Sequence, residues 1–122
     1  MGYRLSKRSI NRLFGVHCEL VLCVQRALQL CEVDFGVSEG IRSMERQNQL
    51  YDSGASRTLS SKHLTGDAVD LFAWVDGAVS WEMRHYEPIA EAMKLAADEL
   101  DISIEWGGDW QTFKDGPHFQ RV

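Results

Sequence analysis

DAVDLFAWV, residues 67–75, is the stretch around which the rest of the chain has to arrange itself. It is almost continuously apolar, rich in β-branched and aromatic side chains, and followed by an Asp76-Gly77 turn, so it reads as a buried strand. Such a strand needs cover, and two helical patterns supply it. Ile10, Leu13, Phe14, His17, Leu20, Val21, Val24, Leu28 and Cys31 recur at three- and four-residue steps, predicting one long amphipathic helix over 6–31 with Ser6 as N-cap. A second helix is expected over 86–100, with Pro88 in its first turn. Between them, Val33, Phe35 and Val37 alternate as a short strand that turns at Gly40, and residues 44–54 form a short helix closed by Gly54. ISIEW and PHFQRV read as two further strands around the loop GGDWQTFKDG. The order predicts an α+β fold, with helices packed on a small, largely antiparallel sheet. At 122 residues the chain suits a single domain over 1–122.

The net charge of −5 argues against a nucleic-acid partner, which would require a concentrated basic face. Arg4, Lys7, Arg8 and Arg12 are the nearest thing to one and read as a solvated helix face that could touch an anionic polymer weakly. No long apolar run suggests a signal peptide, a membrane span or stable membrane association. Gly2 and Ser6 stand at myristoylation spacing, a short and common pattern that is discounted. The expected compartment is the cytoplasm. Cys18, Cys23 and Cys31 are spaced poorly for pairing within one helix and lack zinc-cysteine spacing, so buried, reduced thiols are expected.

The polar residues 53–66 form a loop of a length that is often functional. Within SSKHLTGDAVDL, His63 and Asp70 stand seven apart, with small residues between them. Both could face one metal ion, since imidazole and carboxylate are zinc ligands. Taken alone the pair is weak, and a loop histidine followed by a capping aspartate reads as well. EWGGDWQTFKDGPHFQ adds His118 at the head of the last strand, with Asp115 three residues earlier. A histidine ligand beside a carboxylate suits hydrolysis, in which a metal acidifies water and the carboxylate carries its proton to a leaving amine. His118 reads equally as a surface histidine on an edge strand.

Taken together, the two segments resemble the group of zinc peptidases that contains lysostaphin-type enzymes, D-Ala-D-Ala peptidases and the hedgehog signalling domain. The group pattern S-x-H-x-x-G-x-A-x-D followed far downstream by acid-x-x-His is met by Ser61, His63, Gly66, Ala68 and Asp70, then Asp115 and His118. Within the group, the likeness is greatest to phage L-alanyl-D-glutamate peptidases. VDFGVSEGIRSMERQNQLYDSG resembles their upstream segment, with Gly40, Arg42 and Gln47.

The resemblance implies a hedgehog/D,D-peptidase-like fold and a Zn2+ ion held by His63, Asp70 and His118. It also implies Asp115 as general base and later acid, and Arg42 as the cation facing a substrate carboxylate or oxyanion. Ser61 could orient the metal site or bind substrate, and Trp106 and Trp110 could line a cleft, although aromatics near a small core more often serve packing. Glu105 could compete as base, although alternation along its strand makes it structural. Asp109 is a candidate hydrogen-bond partner for a ligand histidine. Asp67 should face solvent, His17 should be a satisfied core histidine, and His85 should cap or hydrate the helix that it precedes. The implied function is an endolysin that cuts the L-alanyl-D-glutamate bond of the peptidoglycan stem peptide. It would be monomeric, held in the host bacterial cytoplasm, and dependent on a holin to reach the wall. A D,D-carboxypeptidase or dipeptidase, and a non-catalytic zinc module, are the other expectations.

Overall fold

The computed structural model describes residues 3–122; Gly2 of the N-terminal pattern lies outside them. The element order is α1 (Lys7–Arg12), α2 (Cys18–Leu30), β1 (Asp34–Glu39), α3 (Met44–Asp52), β2 (Ala68–Val75), β3 (Ala78–Ser80), α4 (Met83–Leu100), β4 (Ile104–Trp106) and β5 (His118–Arg121). Short 3-10 turns occupy Lys62–Thr65 and Gly107–Asp109. The expected α+β architecture is what forms, and every strand pairing is antiparallel.

β2 is the axis of the sheet. It pairs along its length with β1, while its other edge takes β5 at Ala68–Asp70 and β3 at Ala73–Val75; β4 then extends β5. Alternation along β2 sends Val69, Leu71 and Ala73 into the core at 0% exposure. α2 and α4 pack on one another and close that side, with Leu20, Val24 and Ala27 facing Ile89, Met93 and Ala96 in one apolar cluster. The Tyr86 hydroxyl threads this core, donating to Ser80 O at 2.9 Å while Ala73 N donates to it at 3.2 Å. Burial pushes its pKa up to about 12.

Several expectations need correction. The long first helix is two helices, because Gly15 takes φ +86 and His17 becomes the N-cap of α2. His17 is therefore no core histidine; it is half-buried and its Nδ1 accepts from Glu19 N at 3.1 Å. Phe14 and Ile10, assigned to the apolar stripe, are exposed in consequence. Cys18 is exposed too, whereas Cys23 and Cys31 are buried. α4 begins at Met83, placing Pro88 in the second turn and His85 inside the helix, where its Nδ1 lies 2.6 Å from Ser80 Oγ. Asp67 does not simply face solvent but receives Arg121 Nε at 3.0 Å and the Thr65 hydroxyl at 2.7 Å.

Candidate metal centre

The site grows from the turn that feeds β2. Ser61 Oγ accepts from His63 N at 3.2 Å and so caps the 3-10 turn Lys62–Thr65. Gly66 ends that turn at φ +78, and a Cβ there would lie 2.3 Å from Gly15 O. The turn is therefore pressed against the break between α1 and α2, where His17 N donates to Gly66 O at 2.8 Å. This sends the His63 ring inward, to 1% exposure. Its Nδ1 lies 2.8 Å from Gly40 O, and because a carbonyl can only accept, that nitrogen carries the proton. Nε2 is left with its lone pair, buried, without a hydrogen-bond partner and 3.3 Å from Asp70 Oδ1.

His118 arrives from β5, whose register sets it directly opposite Asp70. Its Nε2 donates to Gln120 Oε1 at 2.8 Å, which turns Nδ1 toward Asp70 Oδ1 at 3.3 Å. The two imidazoles stand edge to face, with centroids 5.1 Å apart. One ligand atom from each of His63, Asp70 and His118 falls within 4.8 Å of the others. Electron-pair donors converging without protons between them repel unless a cation relieves them, so these residues fit a divalent metal. A proton is the smallest such cation: burial would lower the pKa of His118, but the Asp70 carboxylate outweighs it and holds the ring above its ordinary value. Burial would likewise raise Asp70, and the two histidines overcome that, keeping its carboxyl well below the usual range.

Asp115 lines the same cleft, of about 570 Å³. Its backbone N donates to Gly107 O at 3.0 Å and its O accepts from His118 N at 3.2 Å, fixing the loop ahead of β5. Among the described residues its carboxylate makes no hydrogen bond. Burial, then the nearby charge of Asp70, pushes its pKa up against the opposing influence of His118, His63 and Arg42.

Arg42 is held more tightly than expected of a substrate clamp. Its side chain is 7% exposed. The guanidinium contacts Glu39, donates to Gln47 Oε1 at 2.7 Å and lies 3.6 Å from Asp70 Oδ2. Gln47 is fully buried and also donates to Thr58 O at 2.6 Å, tying Arg42 to the loop on the cleft wall. The guanidinium of Arg42 is thus already engaged by carboxylates of the protein itself.

Two expected members lie elsewhere. Asp109 is turned away by the 3-10 turn and pairs with Lys94 at 2.6 Å, so it supports no ligand histidine. Trp106 does not line the cleft; it is buried behind it, stacking on Phe119 and donating to Gly116 O at 2.7 Å. Glu105 accepts from Trp110 Nε1 at 2.5 Å, holding an indole whose centroid is 5.2 Å from that of His118. Trp110 lines the cleft as expected, whereas Gly40 O and Gln120 escaped the sequence reading. Gln120 could have been found from the period of two after His118.

The sequence profile of the phage L-alanyl-D-glutamate peptidase family matches residues 1–121. The L-alanyl-D-glutamate peptidase of Escherichia phage T5 is 32% identical over 119 residues, covering 94% of this chain and 87% of that protein. The enzyme of the same name from Listeria phage A118 is 37% identical over 84 residues, or 69% of this chain, but the match spans only 29% of that longer protein. Among solved structures, the Serratia marcescens L-Ala D-Glu endopeptidase ChiX superposes with a TM-score of 0.92 at 50% identity, covering 98% of this chain and 90% of that one.

Proposed function

The chain belongs to the phage L-alanyl-D-glutamate peptidase family, and on that premise we propose a zinc-dependent peptidoglycan endopeptidase that hydrolyses the L-alanyl-D-glutamate bond of the stem peptide. The observation that carries this reading is the buried, unpartnered Nε2 of His63 facing Asp70. His63 through Nε2, Asp70 through Oδ1 and His118 through Nδ1 would hold the ion, a two-imidazole, one-carboxylate set that zinc takes in hydrolytic sites. When bound, zinc supplies Lewis acidity for the scissile carbonyl and for water.

The chain's own residues do the rest. Asp115 takes a proton from the attacking water and delivers it to the departing D-glutamate nitrogen. The C–N bond breaks, leaving an L-alanine carboxylate and a free amine. An elevated carboxyl pKa suits a group that must both accept and return that proton. Arg42, with Glu39 and Gln47 around it, acts as a positioning residue that fixes Asp70. Ser61 sets the turn that carries His63.

This is the chemistry of an endolysin made in the host cytoplasm, acting as a monomer on the wall once a holin has opened the membrane. Among the described residues no helix is long and apolar enough to cross a membrane. The test is turnover of a peptidoglycan suspension. A chelator should abolish it and about one equivalent of zinc should restore it, whereas His118→Ala should not be restorable. Full turnover by chelated, zinc-free protein would sink the proposal.

A further inference from the structure

Cleavage between L-alanine and D-glutamate brings a carboxylate into the cleft. The stem peptide continues through the glutamate side chain, so the α-carboxyl stays free, on the carbon that bears the scissile nitrogen. The cleft lining already holds the carboxylates of Glu39, Asp70 and Asp115, and a further anion beside them needs a cation to receive it. Of the described residues, Arg42, Arg57 and Lys62 are the permanent cations of that lining. Arg42 is engaged by Glu39 and Asp70, and Lys62 donates its ammonium to Arg121 O. Among the described residues Arg57 forms no ion pair and no side-chain hydrogen bond, and its guanidinium carbon sits 4.7 Å from the centroid of the Phe113 ring. A ring face attracts the cation through its quadrupole and brings no counter-charge, so Phe113 places this guanidinium without neutralising it.

The placement is built from both walls of the cleft. Arg57 belongs to the loop after α3, and the fully buried Gln47 reaches from α3 to hold the residue on either side of it. Gln47 Nε2 donates to Ser56 Oγ at 2.8 Å and to Thr58 O at 2.6 Å. Phe113 belongs to the loop ahead of β5, two residues before Asp115, which keeps its Cα within about 7 Å of that of Asp115. It takes φ +51, a costly conformation for a bulky residue and one that gathers at ligand clamps. Its ring is 40% exposed, so core packing does not account for the strain.

We propose that Arg57 is a specificity-determining residue, which pairs with the free α-carboxylate of the D-glutamate and so selects stem peptides whose glutamate is not amidated. The proposal rests on the peptidase reading above and names the stem chemistry that this reading leaves open. Asp115 hands its proton to the nitrogen on that same carbon, so the carboxylate enters on the side of the cleft where Phe113 and Arg57 stand. A guanidinium fork takes a carboxylate with two parallel hydrogen bonds. A carboxamide offers one accepting oxygen, and its NH2 meets the guanidinium donor to donor.

The test compares two soluble muramoyl stem peptides, identical except for a carboxylate or a carboxamide on the glutamate α-carbon, with the zinc-loaded full chain. The wild type should cut the carboxylate form with kcat/KM about tenfold or more above the amide, as expected for a charge-assisted pair. Arg57→Gln should bring the two forms within about twofold, through a loss on the carboxylate form alone and with zinc content unchanged. Arg57→Lys keeps the charge and should retain part of the preference. A merely structural role would lower both forms alike. A wild type indifferent to amidation, or Arg57→Gln discriminating as the wild type does, would overturn the proposal. If the wild type cut neither peptide, the peptidase reading would fall instead. The same uncut peptides, titrated calorimetrically into the wild type and Arg57→Gln, would then still decide whether Arg57 reads the carboxylate.

Discussion

Gly66→Ala probes the contact on which the metal cluster rests. The residue sits at φ +78, where an L side chain costs about 1–2 kcal/mol relative to glycine. Its new Cβ would also stand 2.3 Å from Gly15 O, a backbone atom that cannot swing aside. Forcing such an overlap costs about 1–3 kcal/mol, for a total of about 2–5 kcal/mol. With an unfolding entropy of about 2.1 cal/mol/K per residue over 122 residues, each kcal/mol is worth about 4 °C. Differential scanning calorimetry of the chelated protein should therefore show Tm falling by about 8–20 °C. Gly77→Ala is the control. Gly77 has φ +79 but nothing within 4 Å of the added carbon, so it should lose only about 4–8 °C. Equal shifts at the two positions would refute the claim that the site turn is clamped against the helix break.

Asp115→Ala should retain zinc by elemental analysis yet lose about 10²–10⁴-fold in kcat, while His118→Ala should lose both metal and turnover; an active Asp115→Ala would remove the proton-transfer role. Gln47→Leu leaves Arg42 Nη1 and Thr58 O without their amide partner in a buried site, so urea denaturation should show about 2–4 kcal/mol lost, together with reduced kcat. An unchanged midpoint would show that the loop and Arg42 stand without it. The Asp67 carboxyl is held below its ordinary pKa by the Thr65 hydroxyl and by Arg121. A depressed folded value means stability that is present above the unfolded pKa and lost as pH falls through the folded one. The urea midpoint of the wild type should accordingly drop more steeply than that of Asp67→Asn below about pH 4, and parallel slopes would contradict the pairing.

How legible the molecule is from its sequence depends on the residue. Alternation found β1, an almost continuous apolar run found β2, and Asp76-Gly77, both at positive φ, marked the turn after β2. β3 was missed because three residues, Ala78 to Ser80, are too few to alternate. The break at Gly15 was invisible because a single glycine leaves the three- and four-residue spacing intact while its backbone turns the chain. His63, Asp70 and His118 were readable from their segments, and the structure brings them together. Asp109 misled because Gly107 and Gly108 permit a 3-10 turn that rotates it toward Lys94. The carbonyl of Gly40, which fixes the tautomer of His63, had no sequence signature, since every residue carries a carbonyl.

The most direct test of the account is mass spectrometry of what the protein releases from purified meso-diaminopimelate peptidoglycan, with and without chelator. The account predicts chelator-sensitive release of stem peptides that begin at D-glutamate, with L-alanine left on the glycan. Loss of terminal D-alanine alone, or products that a chelator does not suppress, would contradict it.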